Sequence, residues 1–155
     1  MITILHGHAY GLGLDISLAA DIRLSASDTR FCVKEVDIGL AADIGTLSRL
    51  PKAVGSLSWV KEVCLTARVF GSDEALRVGL VGGVCGTKAE AVQRALRIAG
   101  ALAAKSPVAV QGTKEIVNYS RDRGVEEGGC SVSFFSPLQS LMFQPLLLGG
   151  GALRC

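Results

Sequence analysis

The chain has 155 residues, 49% of them hydrophobic and 19% charged, enough for one domain with a hydrophobic core and far from the composition of a disordered chain. A net charge of +2, with no basic cluster interleaved with aromatics, gives no support to nucleic-acid binding. No run of about 18 apolar residues predicts a membrane span, and the opening MITILHGHAYGLG lacks the basic and long apolar regions of a secretory signal.

In chain order, ITILH (2–6) is β-branched and apolar and predicts a buried strand. HGHAYGLG reads as a glycine-rich turn. From Gly13, Leu14, Leu18 and Ala19 recur at helical spacing and predict a helix ending near Ala20-Asp21. IRLSAS predicts another short strand. RFCVKEVDIGL then alternates, with Val36, Ile38 and Leu40 on one side and Glu35 and Asp37 on the other, as an extended strand would place them. IGTLSRLPKAVG and SLSWVKEVCLTA predict helices. Ser72-Asp73-Glu74 predicts a helix start with Gly79 as its stop, and LVGGV a short strand. Residues 88–104 predict an amphipathic helix, and Pro107 opens another over roughly 107–121. From Gly128 the text GGCSVSFFSPLQSLMFQPLLLGGGALRC has Arg154 as its only charge and no clear period, so it predicts a poorly ordered tail.

Several residues could carry chemistry. GLGLD (11–15) stands at a strand-to-helix turn, where glycines permit close backbone approach and free N–H groups favour negative charge. Ile16 stands where the third glycine of a dinucleotide fingerprint belongs, so a plain tight turn competes evenly with a binding role. An exposed acid is by default a solvated one. Glu35 and Asp43, however, lie eight residues apart across a glycine turn, and two carboxylates facing one apolar cleft suit proton transfer between carbons. His6 and His8 could share a strand face, but two ligands without a third do not make a metal site. The odd number of cysteines, five, and the absence of a C-x-x-C pattern favour reduced intracellular thiols over disulfides or zinc. Trp59 reads as core.

The stretch HGHAYGLGLDISLAADIRLSASDTRFCVKEVDIGLAADIGTLSRLPKAVG, with SDEALRVGLV and AAKSPVAVQGTKE after it, resembles the crotonase (enoyl-CoA hydratase/isomerase) superfamily over residues 1 to about 127. KEVDIGLAADIGTLSRLPK is most similar to the Δ3,5-Δ2,4-dienoyl-CoA isomerases of unsaturated fatty-acid β-oxidation. Hydratases usually have glutamate in place of Asp15 and glycine in place of Asp43. The resemblance implies an α/β fold, a partial crotonase-type spiral of ββα repeats followed by helices, and an acyl-CoA thioester as substrate. Coenzyme A is then part of the substrate and no separate cofactor is needed. It implies Asp43 as the base at C2, Glu35 as the acid at C6, Asp15 as a supporting polar group and the Leu12 N–H as one oxyanion donor. Asp37 matches no catalytic position.

Leu12 departs from the family's usual glycine. The family's portion preceding Met1, with the second oxyanion donor and much of the coenzyme A site, has no counterpart in this text, and the tail from Gly128 resembles a frame-shifted translation. The expectation is therefore an N-terminally truncated domain with little or no isomerase turnover by itself. A catalytically silent crotonase-like chain and an enoyl-CoA hydratase are the alternatives. Intact members assemble as trimers or hexamers and reside in peroxisomes or mitochondria.

Overall fold

A computed structural model describes residues 1–123. The tail from Gly128, expected to be poorly ordered, lies outside the described residues. The chain divides into two compact units, Met1–Gly100 and Ala101–Cys155.

The first unit is built from strands that alternate between two small sheets. Strands β1 (Ile2–Leu5) and β3 (Ile22–Ala26) pair in parallel, with Ile2 opposite Ile22 and Leu5 opposite Ser25. Strand β6 (Val84–Cys85) adds to β3 on its far side. In the second sheet, β2 (His8–Tyr10) pairs in parallel with β4 (Arg30–Cys32), which pairs antiparallel with β5 (Phe70–Gly71). Each ββ pair thus sends its first strand to one sheet and its second to the other. Helix α1 (Leu12–Leu18) follows the first pair. This is the ββα spiral that the resemblance implies.

Helices α2 (Thr46–Ala53), α3 (Leu57–Thr66) and α4 (Ser72–Arg77) follow, and α5 (Lys88–Ala103) runs to the end of the unit and just past it. Helix α3 starts where Ser56 Oγ accepts a hydrogen bond from the Trp59 N–H at 3.3 Å, an N-cap that satisfies an otherwise unpaired donor. Leu14 and Leu18 of α1 meet Phe31, Leu50, Val63, Phe70, Leu80 and Val81 in one core. Phe31 and Phe70 stack at 5.3 Å, and Trp59 meets Phe70 edge-on at 5.0 Å, both favoured aromatic geometries. Trp59 is half-buried at the edge of this core because its indole N–H needs an acceptor, which Glu74 supplies at 2.7 Å.

In the second unit the described element is α6 (Pro107–Ser120), with proline in its first turn, where the missing N–H costs nothing.

Three local expectations need correction. The turn expected over HGHAYGLG contains strand β2, which three residues are too short to announce by periodicity; the partner strand β4 supplies the pairing. The strand expected through residues 30–40 stops at Cys32, and Glu35–Ile38 form a 3-10 turn. Its N–H groups fold back locally, Asp37 to Lys34 O at 3.1 Å and Leu40 to Glu35 O at 3.0 Å, so no ladder forms. The strand expected at LVGGV begins only at Val84, because Leu80 and Val81 are taken into the core instead.

Candidate active site

Gly11 ends β2 and starts α1. Its φ of 48° and ψ of −118° lie in a region that suits glycine. Its N–H donates to Cys32 O at 3.0 Å, tying the turn to the end of β4. Its C=O accepts from the Leu14 and Asp15 N–H groups at 2.9 and 3.1 Å, which starts α1. Leu12 is therefore the first residue of the helix. Its N–H has no acceptor within the helix, as geometry requires at an N-terminus, and its side chain is 54% exposed. The larger side chain that replaces glycine here thus points away from the core.

Asp15 sits in the first turn of α1 and is only 1% exposed. Both of its carboxylate oxygens are buried and meet no hydrogen-bond partner among the described residues. Burying such a group without a partner is costly, so a polar function is the natural reason to keep it. The helix N-terminus is the favourable end for it.

Glu35 opens the 3-10 turn and is half-buried. Its Oε2 is buried and meets no hydrogen-bond partner among the described residues. Its Oε1 lies over Gly11, 3.0 Å from where a β-carbon on that residue would stand. Asp15 and Glu35, twenty positions apart in sequence, thus both meet Gly11, Asp15 through its backbone N–H and Glu35 through its carboxylate. Helix α3 packs against the turn that carries Glu35. On that helix burial first, and the Glu35 carboxylate second, push the Cys64 thiol up.

Asp37 takes a different course. Three residues per turn rotate it away from Glu35, and it is exposed and ion-paired with Lys34. The alternation that grouped the two acids is therefore not a shared face. Val36, Ile38 and Leu40 are exposed too, at 41%, 70% and 60%. Gly39 closes the turn with φ 75°, and the chain then runs to Asp43. Asp43 is exposed, its N–H donating to Ala41 O at 2.9 Å, just ahead of α2. Leu40, Ile44 and Leu47, close to it in sequence, are exposed apolar residues.

His8 meets the Tyr10 ring edge-on at 5.1 Å. Among the described residues no group of three His, Cys, Asp or Glu side chains could hold a metal ion, and no helix is long and apolar enough to cross a membrane. Cys32, Cys64 and Cys85 are free thiols. Sequence reasoning weighed Gly11 as a tight turn against a binding turn, without a link to Glu35, and gave Cys64 no role. The first glycine of GLG was the available signal for Gly11, whereas nothing in the text places Cys64 beside Glu35.

The enoyl-CoA hydratase/isomerase family profile matches residues 1–131. The chain belongs to the enoyl-CoA hydratase/isomerase family. It is 50% identical over 127 residues to the mitochondrial Delta(3,5)-Delta(2,4)-dienoyl-CoA isomerase of Homo sapiens, covering 82% of this chain and 39% of that protein. Against the peroxisomal enzyme of the same name from Arabidopsis thaliana it is 44% identical over 128 residues, covering 83% and 46%. A putative enoyl-CoA hydratase from Thermobifida fusca, solved in complex with acetoacetyl-CoA, superposes with a TM-score of 0.81 at 27% identity, covering 94% of this chain and 55% of that one. The chain thus spans less than half the length of the curated relatives named here. The fold is that of the family's enoyl-CoA hydratases.

Proposed function

We propose that this chain carries the proton-transfer groups of a dienoyl-CoA isomerase, which moves the double bonds of a 3,5-dienoyl-CoA to the 2,4 positions. The observation that carries the reading is that two acids meet at Gly11, Asp15 through its backbone N–H and Glu35 through its carboxylate, with Asp15 buried, Glu35 half-buried and three of their oxygens without a partner among the described residues. Similarity to enzymes of that name supports the substrate class.

The exposed Asp43 carboxylate takes a proton from C2. The released electron pair becomes the C2=C3 bond, the C3=C4 pair shifts to C4=C5, and the C5=C6 pair takes a proton from Glu35 at C6. In the dienolate between these steps, negative charge on the thioester oxygen is held by the Leu12 N–H, at the end of α1 that favours an anion. Asp15 lends a polar wall to an otherwise apolar site. The cycle leaves Asp43 protonated and Glu35 ionised, and exchange with water restores both. Fatty-acid oxidation in mitochondria or peroxisomes, the compartments in those two relatives' names, is the corresponding setting. Exposed Ile38, Ile44 and Leu47 are suited to an acyl chain or to a neighbouring subunit of a trimer.

The test joins residues 1–127 to the preceding portion of a dienoyl-CoA isomerase and follows the absorbance of the conjugated 2,4 product. Asp43→Asn and Glu35→Gln should each lower turnover by about 10²–10⁴-fold, while Asp37→Asn changes it little. Equal losses for all three variants at unchanged stability would overturn the assignment. Addition of water to a 2-enoyl-CoA with no 3,5-dienoyl turnover would make the protein a hydratase instead.

A further inference from the structure

We infer that Gly11 is the positioning residue for Glu35: its missing β-carbon is the seat on which the carboxylate rests. The inference deepens the proton-transfer reading of Glu35 and depends on it for its functional meaning.

Two observations and one consequence of the proposed reaction converge on this residue. A β-carbon at position 11 would lie 3.0 Å from Glu35 Oε1 and 3.7 Å from its Cδ, so any side chain there pushes the carboxylate outward by a few tenths of an ångström. The Gly11 N–H holds Cys32 O at 3.0 Å, three residues ahead of Glu35, so the acid-bearing segment is fixed to this residue through the backbone as well. The next residue is Leu12, whose N–H is the oxyanion donor of the proposed reaction. Gly11 therefore sets the spacing between the group that stabilises charge at the thioester and the group that delivers the proton at C6. The φ of 48° gives a separate reason for glycine, and the experiment has to separate the two.

Four versions of the 155-residue chain decide it: wild type, Gly11→Ala, Glu35→Ala and the double variant. Carboxyl-carbon NMR identifies the Glu35 signal as the one lost in Glu35→Ala. In Gly11→Ala that signal should shift, with the Trp59 indole signal unchanged. An unmoved Glu35 signal in a folded Gly11→Ala protein would overturn the inference. Thermal unfolding supplies an arm that survives poor folding of the single variant. Gly11→Ala should lower the melting temperature less in the Glu35→Ala background, where the obstructing oxygen is gone. An equal drop in both backgrounds, unfolding in both included, would mean that backbone strain alone demands glycine, and the inference fails.

In the isomerase fusion described above, Gly11→Ala should reduce kcat about tenfold with Glu35 present, with KM little changed, and not at all with Glu35 absent. If Glu35→Ala leaves kcat intact there, the proton-donor reading falls, while the NMR and unfolding results still judge the contact itself.

Discussion

Removing the Glu74 side chain should destabilise the fold more than its surface position suggests. Glu74 Oε1 accepts from Arg68 Nη2 at 2.6 Å and from Trp59 Nε1 at 2.7 Å, and Oε2 accepts from Arg68 Nη1 at 3.2 Å. The Arg68 and Glu74 side chains are only 32% and 21% exposed, so the pair lies between a solvated surface bridge and a buried one. A surface pair contributes about 0–1 kcal/mol, and hydrogen bonds to charged groups about 1.5–3 kcal/mol. Glu74→Ala loses about 1–1.5 kcal/mol from the pair and about 1 kcal/mol from a half-buried indole N–H left without its acceptor. Arg68 keeps Glu62 at 2.6 Å, which limits the damage. The expected loss is about 2–2.5 kcal/mol, or a fall of roughly 5–10 °C in melting temperature for a chain of this size.

Urea unfolding followed by circular dichroism and by the fluorescence of Trp59 measures it. Glu62→Ala, whose carboxylate side chain is 54% exposed, is the control and should cost under about 0.5 kcal/mol. The Arg68 hydrogen bond first, and the Trp59 N–H after it, hold the Glu74 carboxyl below its ordinary value of 4.5 against the opposing effect of burial. A depressed folded value means that its contribution is present above about pH 4.5 and lost as pH falls through that folded value. The gap in stability between wild type and Glu74→Gln should therefore close as pH falls from roughly 6 to 3. A loss below about 0.5 kcal/mol for Glu74→Ala, or a gap that widens in acid, would refute the reasoning.

Other substitutions probe the site and its supports. Leu12→Pro deletes the N–H at the first helical position, where proline is tolerated, and exchanges a side chain that is exposed, so kcat in an active fusion should fall about 10²–10³-fold at similar stability; unchanged kcat would remove Leu12 as an oxyanion donor. Thr29→Val leaves a buried network of Leu5 O, Ala26 O and Ser25 Oγ without its central hydroxyl and should cost about 1–3 kcal/mol in urea unfolding. Gly39→Ala forces a β-carbon into φ 75° and should cost about 1–2 kcal/mol by the same measurement, with a drop in turnover as the Glu35 turn loosens. Asp37→Asn removes one exposed pair with Lys34, so its unfolding midpoint should move by under about 0.5 kcal/mol.

Helix positions were legible in the sequence because they rest on local physics. The periodic apolar residues of α5, the proline that opens α6 and the acids that open α4 act within a turn or two of themselves, so the text announces them. The family could be read from the motifs between His6 and Gly55, and with it the identity of the candidate acids. Short strands were another matter. Nothing within His8–Tyr10 or Phe70–Gly71 specifies a strand, since two or three residues carry no period and their hydrogen-bond partners lie on distant parts of the chain.

The acids show the same division most clearly. Alternation in KEVDIGL placed Glu35 and Asp37 on one face, and only the 3-10 turn separates them, leaving one carboxylate half-buried and the other in water with Lys34. Residue order determined which groups could do acid–base chemistry. Tertiary structure decided which of them share a place: Asp15 is held to Gly11 locally, by the first turn of α1, but Glu35 reaches Gly11 only because β2 and β4 pair in parallel and bring Cys32 O to the Gly11 N–H. Burial and proximity are properties of packed segments, so no reading of one segment by itself could supply them.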